Sequence, residues 1–423
     1  MAIDVHRAES LSSDLTKHGL IRHFAHRLDE VRRRRSVDYP VRRNQAADGA
    51  PDQGDPSADP RPQRSARRPH AVRPRPDQSR TVSDVVASLL DDGVVREIGR
   101  GPSSGGKAPI LLEVDDDARL VVGLDLGEEH FAGSLVNLRG EIRRTVELAV
   151  DGRDGDAALG LVFELLDQLL DGTTAPLLGI GIGTPGLVDS RTGTIRRAVN
   201  LDWRDLPLGE IVAERYAVPV NVANDSQAAA LAEYTYAGGD RVPNLIAIRV
   251  GRGVGAGLIL RGALFQGDGS GAGEIGHTVV DDHGALCSCG RTGCLETVAG
   301  MRAIEARAAA AKGRETDLEA VRTAADAGEA WATEIVDDAG AALGKAIAAL
   351  VGALDVQRIV LLGPVTALGD RWLSAVRREA GSRALALLVD DVDIQVGRQT
   401  TNVVVRGASS LLVARELGLS LVR

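Results

Sequence analysis

The chain has 423 residues, a formal net charge of -9 and 44% hydrophobic residues, enough apolar material for two or three domains with cores of their own in a soluble, globular protein. Its longest apolar runs, such as "AIAALVGAL", fall well short of the roughly 20 residues a membrane span needs. The opening "MAIDVHRAESLSSDL" carries acids early and no apolar core, unlike a secretory signal, so the expected location is cytoplasmic with no membrane partner. All three cysteines lie between Cys287 and Cys294, an odd number in one loop, which suits a reducing compartment and not a disulfide framework.

In residues 1–30 only "LTKHGLIRHFAHRL" spaces apolar side chains helically, with Leu20, Ile21, Phe24 and Leu28 on one stripe. Residues 31–78 hold twelve arginines and eight of the sixteen prolines but no Leu, Ile, Phe, Met or Trp. They cannot bury enough apolar surface to offset their ordering entropy, so this stretch is expected to be disordered. With no aromatic or helical pattern beside the charge, a basic linker is the plainer assignment over a nucleic-acid tail. At Ser79 the pattern changes. Val82, Val85, Val86, Leu89 and Leu90 predict a helix that stops at Gly93, followed by a strand from Val94, a Gly/Ser-rich turn and the strand "ILLEV". Helix, strand, basic hairpin and strand form the second half of a winged helix over 79–114. Ser79, Arg80, Thr81 and Ser83 at the helix start, with Arg100 and Lys107 in the wing, are the candidate DNA contacts.

Two α/β units follow, over 115–235 and 236–423. The first opens with "RLVVGLDLGEEHFAGSLVNLRGEI", a strand, a turn and a second strand, and continues through the helix "ALGLVFELLDQLL" to the buried strand "LLGIGIGTPG". The second opens in the same way with "NLIAIRVGRGVGAGLILRGALF" and runs through Ala-rich helices at 301–353 to the strand "RIVLLG" and a final helix. Two lobes, each with a glycine turn between its first two strands, predict a ligand cleft between them.

The stretch "GEIGHTVVDDHGALCSCGRTGC" places Cys287, Cys289 and Cys294 in a C-x-C-x4-C pattern, with Gly290 and Gly293 letting the loop fold back on one centre. Three thiolates and one imidazole make a closed, structural zinc site. Spacing alone leaves His277 and His283 as equal candidates for the fourth ligand.

That stretch, together with "GTPGLVD", "NLDW", "VNVANDSQAAALAE", "GRGVGAG" and "AGEIGH" in this order, resembles the ROK family of repressors, open reading frames and sugar kinases, from about Ser79 to the C-terminus. The resemblance assigns zinc to His277, Cys287, Cys289 and Cys294. It implies an α/β, two-lobed, actin-like (hexokinase-type) ATPase fold, here preceded by a partial winged helix-turn-helix. It also implies that Asn224, Asp225, Glu274, His277 and Glu296 face a sugar, with Asp225 matching the general base of the family's kinases. Without the family, Asn224 and Asp225 before a helix read as an N-cap.

The nucleotide side departs from the family. Its kinases carry Asp-x-Gly-Gly-Thr in the first turn, where this chain has Asp125, Leu126, Gly127, Glu128 and Glu129. Two glutamates put negative charge where phosphates would lie, although Arg252 could offset it. In the second turn Gly251 and Gly253 persist but Arg252 replaces a threonine, and Pro364 removes an amide donor in "LLGPVTALG". Asp125, Gly127, Gly251 and Gly253 thus form a degenerate nucleotide site, and Mg-ATP would be a cofactor only of a kinase.

A complete sugar side, an eroded nucleotide side and a winged-helix remnant point to the repressor branch, that of xylose and N-acetylglucosamine repressors. The expected protein is a sugar-responsive regulator with a sugar or N-acetylamino sugar ligand, operator DNA as partner and a homodimer or higher homo-oligomer as its state. A hexose or N-acetylhexosamine kinase is the alternative. A repressor of this type should carry about two more helices before Ser79, and the abrupt change there suggests a reading-frame disruption within roughly residues 29–78.

Overall fold

The computed structural model describes residues 3–4, 82–100, 110–236, 242–389, 391–398 and 402–417. The expected first helix at 15–28, the Arg/Pro-rich stretch with its suggested frame disruption, and the residues Ser79, Arg80, Thr81 and Lys107 lie outside them. At the N-terminal end, β1 (Ile3–Asp4) pairs antiparallel with a hairpin that follows α1 (Val82–Asp91) and consists of β2 (Val95–Arg100) and β3 (Ile110–Val114). Gly93, with φ +66°, ends the helix: its N–H donates to the Leu90 carbonyl while that of Val94 reaches back to Leu89. These two bonds satisfy the last carbonyls of α1, which only a left-handed residue permits. Leu89, Val94 and Leu112 are buried as a small core, and Arg96 pairs with Glu113 at 2.9 Å on the outer face.

The first large sheet begins with β4 (Leu120–Leu126), β5 (His130–Asn137) and β6 (Ile142–Ala149), then α2 (Gly155–Leu170) and β7 (Leu177–Thr184). A three-stranded flap of β8 (Leu187–Asp189), β9 (Thr194–Ala198) and β10 (Trp203–Leu206) precedes α3 (Leu208–Tyr216), β11 (Val220–Asn224) and α4 (Asp225–Tyr236). The second large sheet begins with β12 (Leu245–Val250), β13 (Val254–Leu260) and β14 (Ala263–Phe265). Four helices follow: α5 (Glu296–Ala299), α6 (Met301–Lys312), α7 (Leu318–Asp326) and α8 (Ala330–Leu354). The chain then adds β15 (Arg358–Leu362), α9 (Gly369–Arg383), α10 (Ala386–Val389), β16 (Asp393–Val396) and α11 (Val403–Leu417).

The sheets run β11-β7-β4-β5-β6 and β14-β13-β12-β15-β16. In each, the first three strands of the lobe are antiparallel and the last two are added parallel beside the first. The repeat of theme in the sequence is therefore a repeat of topology. This is the two-lobed, actin-like arrangement.

Two helices lie between the sheets because β4 and β7 carry glycine on one face. In "LLGIGIGT" the side chains of Ile180 and Ile182 fill the core beneath α2, while Gly179, Gly181 and Gly183 face the other way. A Cβ at Gly181 would run into the Ala408 carbonyl oxygen, one at Gly179 would meet Leu412, and one at Gly183 would meet Val404. Thus α11 lies flat on the first sheet, with Leu412 packed among Val121, Val136 and Leu178. It also joins α4 and the second sheet in a cluster that contains Ala408, Val404, Ala228 and Val360. The span expected for the second lobe, 236–423, therefore ends on a helix whose packing partner is the first sheet.

Because the obstructing atom at Gly181 is backbone, the neighbour cannot turn aside. Gly181→Ala is expected to destabilise the protein by about 1–3 kcal/mol or more, read as a lower urea midpoint with an unchanged slope.

Candidate ligand cleft and metal site

Asn224 ends β11 and Asp225 begins α4, so both side chains stand at the mouth between the sheets. Asn224 Oδ1 accepts from the backbone N–H groups of Ser226 (2.9 Å) and Gln227 (3.3 Å), an N-cap, while its Nδ2 donates to the Gly186 carbonyl (3.0 Å) and to Glu274 Oε1 (3.4 Å). Asp225 Oδ1 accepts from the Ser226 N–H (2.7 Å) and Oγ (3.1 Å), and its Oδ2 from Arg249 Nη1 at 2.8 Å. The N-cap role read from the sequence is thus met, and both side chains are buried and engaged within the protein.

Arg249 is absent from the sequence reading. The signal was there: a guanidinium in the middle of the apolar strand "LIAIRV" must find a counter-charge, since burying it unpaired is costly. Burial pushes the Asp125 carboxyl up to about 6, against the pull of Arg249 and helped by the charge of Asp225. Asp125 Oδ1 is buried with no hydrogen-bond partner among the described residues.

The opposite wall is the loop between β14 and α5. Gln227 Nε2 donates to the carbonyls of Ser270 and Ala272, both at 3.3 Å, tying α4 to this loop. Gly273, with φ +99°, and Gly276 let it press on β13, since a Cβ at either would strike the carbonyl of Ala256 or Val254. The loop therefore delivers Glu274 against Asn224 and His277 against the cysteines. His277 Nε2 lies 3.9 Å from Glu274 Oε2 and its Nδ1 3.5 Å from Cys287 Sγ. Burial raises the Glu274 pKa, with His277 opposing the rise and Asp225 and Glu296 adding to it.

The ligand atoms of His277, Cys287, Cys289 and Cys294 all lie within 4.8 Å of one another, an arrangement that can hold a metal ion. His283, which spacing left as an equal candidate, is exposed and outside the group. Cys287 and Cys294 are buried, and burial pushes the Cys287 thiol up to about 12 and raises that of Cys294. By contrast, the Arg291 backbone N–H holds that of Cys289 low. A bound cation offsets the cost of burying such thiolates. Glu296 belongs to this side of the cleft: its Oε1 accepts from Cys287 Sγ (3.0 Å) and Ser288 Oγ (3.3 Å), and its Oε2 lies against Gly253.

At the other end of the cleft the two glycine turns face each other. Gly127 makes the first turn tight against the His130 carbonyl, and the Gly251 N–H donates to the Gly253 carbonyl at 2.9 Å in the second. Glu128 and Glu129 of the first turn meet Arg252 of the second, and Arg302 of α6 also pairs with Glu128. Asn200 Nδ2 donates to Glu128 Oε2 at 3.4 Å. Arg252 does offset the glutamates, and it does so by contact across the cleft. Pro364 opens a 3-10 turn, with its ring against Gly251.

Of the candidate DNA contacts, Ser83 lies in α1 and Arg100 is exposed at the end of β2. They stand on the helix-and-hairpin unit, apart from the cleft residues.

Residues 121–415 match the model of the ROK family. The chain belongs to the ROK family. It is 30% identical over 353 residues to the xylose repressor of Caldicellulosiruptor bescii, covering 79% of this chain and 88% of that one. It is 35% identical over 317 residues to a glucokinase of Halalkalibacterium halodurans, covering 70% and 96%. Among solved structures, a ROK family transcriptional regulator described as a homolog of the E. coli MLC protein superposes with a TM-score of 0.71 at 26% identity, over 80% of this chain and 89% of that one. The repressor likeness covers more of this ROK chain, 79% against 70% for the glucokinase.

The raised pKa of Asp125 has a definite sign. Between its unfolded value near 3.8 and about 6 the native protein holds a proton that the unfolded chain releases, so this group makes stability fall as pH rises through that window. Asp125→Asn removes that dependence. Between about pH 4 and pH 7 its stability relative to wild type should shift in its favour by on the order of 2 kcal/mol, measured by urea unfolding at each pH.

Proposed function

We propose that the chain is a sugar-responsive transcriptional regulator of the repressor type, whose cleft binds a sugar or N-acetylamino sugar. The observation that carries this reading is the ion-pair cluster of Glu128 and Glu129 with Arg252 and Arg302 across the two glycine turns. Phosphoryl transfer needs these turns open to phosphate oxygens and free of fixed negative charge. Here carboxylates stand in that space and the arginines that could meet a phosphate are already paired.

The sugar end is equipped differently. Glu274 and Asp225 accept hydrogen bonds from hydroxyls, and Asn224 can donate and accept. Buried polar groups that need partners disfavour ligands lacking the matching hydroxyls. Zinc is the ion that three thiolates and an imidazole suit. When bound, it would neutralise the thiolates of Cys287, Cys289 and Cys294 and fix the ring of His277, whose other nitrogen faces Glu274. His277 then holds Glu274 in place against the ligand, and Glu274 holds Asn224.

The helix and hairpin at 82–114 supply the proposed DNA reader, a partial winged helix with Ser83 and Arg100 among its contacts, acting in a cytoplasmic homodimer or higher homo-oligomer. Because α4 and α11 are packed between the sheets, a ligand that changes the spacing of the lobes moves these helices too. That gives sugar binding a route to the placement of the DNA-binding heads, and so to operator affinity. The kinase reading is kept by one observation: Asp225 stands at the sugar end of the cleft in a chain 35% identical to a glucokinase.

The deciding experiment is a coupled phosphoryl-transfer assay with Mg-ATP and a panel of hexoses and N-acetylhexosamines, run beside thermal-shift binding of the same sugars without nucleotide. Sugar-dependent stabilisation without turnover is expected; turnover of about 1–100 per second would make the protein a kinase. Asp225→Asn should weaken sugar binding about 10-fold or more by removing a charged acceptor, read by isothermal titration. Stripping zinc with a chelator should lower both the melting temperature and sugar affinity, and Cys294→Ser should abolish one-to-one zinc content by elemental analysis.

A further inference from the structure

We propose that Arg249 is a resident cation that takes the place of a divalent metal ion between the two carboxylates of the cleft, Asp125 and Asp225. The proposal deepens the sensor reading of this cleft, and its test reads metal binding and not sugar, DNA or turnover, so the two can fail separately.

The geometry brings four features to one place. Arg249 lies on β12, the central strand of the second sheet, flanked by β13 and β15. Its guanidinium, largely buried, holds Asp225 Oδ2 at 2.8 Å. Asp125 is the next-to-last residue of β4, the central strand of the first sheet, and its buried Oδ1 has no hydrogen-bond partner among the described residues. A Cβ at Gly251 would lie 3.7 Å from Arg249 Nη1, so the same guanidinium sits against the second glycine turn.

Asp125 and Asp225, two acids of the first lobe that both feel the Arg249 charge beside the second glycine turn, are an oxygen donor set of the kind a hard divalent ion uses together with water and phosphate oxygens. A planar guanidinium offers five N–H donors and a permanent charge in the same space. It cannot leave. With Oδ1 of Asp225 accepting from Ser226 and Oδ2 from Arg249, the carboxylate has both oxygens engaged before any ligand arrives. It can still accept a hydroxyl hydrogen bond on a remaining lone pair, which is recognition. Arg249 is thus a positioning residue: it ties the two sheets together at the cleft floor and keeps Asp225 an acceptor.

The test compares wild type, Arg249→Ala, Arg249→Gln and Arg249→Lys, each carrying one equivalent of zinc so that the thiolates are occupied, by thermal shift with Mn2+ and by the electron paramagnetic resonance signal of free Mn2+. Wild type and Arg249→Lys should take up no Mn2+ at about 1 mM. Arg249→Ala and Arg249→Gln should melt lower than wild type, bind one Mn2+ and recover several degrees, on the order of the shift that a saturating ligand gives. Adding Asp125→Asn or Asp225→Asn to Arg249→Ala should abolish that uptake. The proposal is overturned if both neutral variants ignore Mn2+, if wild type binds it equally, or if the double variants keep the response. Should Arg249→Ala fail to fold without Mn2+ but fold with it, the proposal stands; if it fails in both, the Arg249→Gln result decides.

Discussion

Negative charge crowds the space between the two sheets, and its neutralisation governs how this molecule is built. Asp125, Glu128 and Glu129 come from the first sheet, Asp225 from the helix behind it, and Glu274, Glu296 and Glu305 from the second lobe. In a space of reduced dielectric such charges repel strongly unless a cation stands among them. Arg249 answers at the cleft floor and Arg252 with Arg302 at the glycine turns, each carried by the lobe opposite the acids of the first sheet. The lobes are therefore held together by the same charges that would drive them apart if the arginines were lost.

This distribution divides the cleft into two regions of different character. At the glycine turns Glu128 and Glu129 are paired with Arg252 and Arg302 across the gap, so a phosphate would have to displace ion pairs before gaining contacts. Toward the cysteine loop, Glu274 faces Asn224 at 3.4 Å and His277 at 3.9 Å, contacts at or beyond the long end of hydrogen bonding. The glycines at 273, 276 and 293 fix that wall by close packing of backbone on backbone.

Much of this could be read in the sequence, for identifiable reasons. The helix at 82–91, the hairpin strand "ILLEV" and the paired strands at each glycine turn follow from spacing and breakers, because local preference and burial agree there. The cysteine loop was legible because thiols occur nowhere else in the chain. Spacing alone left His283 open beside His277, which the family resemblance chose; the backbone path, in which Gly273 and Gly276 press the loop on β13, is what brings His277 to the cysteines. Arg249 was passed over because a strand pattern records only that a residue is charged, and its partner lies 24 positions away on another element. The small sheet of β8 to β10 was missed because its strands are only three to five residues long. The placement of α11 was missed because helical periodicity says nothing about which sheet a helix will cover.

The return of α11 to the first sheet bears on how the protein is made. The glycine face of β4 and β7 has little side-chain surface of its own, and Leu412 and Val404 supply what covers it. Those residues follow every strand of both sheets in the chain. The first sheet is therefore completed only by a helix that is synthesised after the entire second sheet. Closure joins residues nearly three hundred positions apart, an arrangement of high contact order that favours slow, late consolidation. It also makes the two lobes one cooperative unit, because neither sheet can be finished by its own half of the chain.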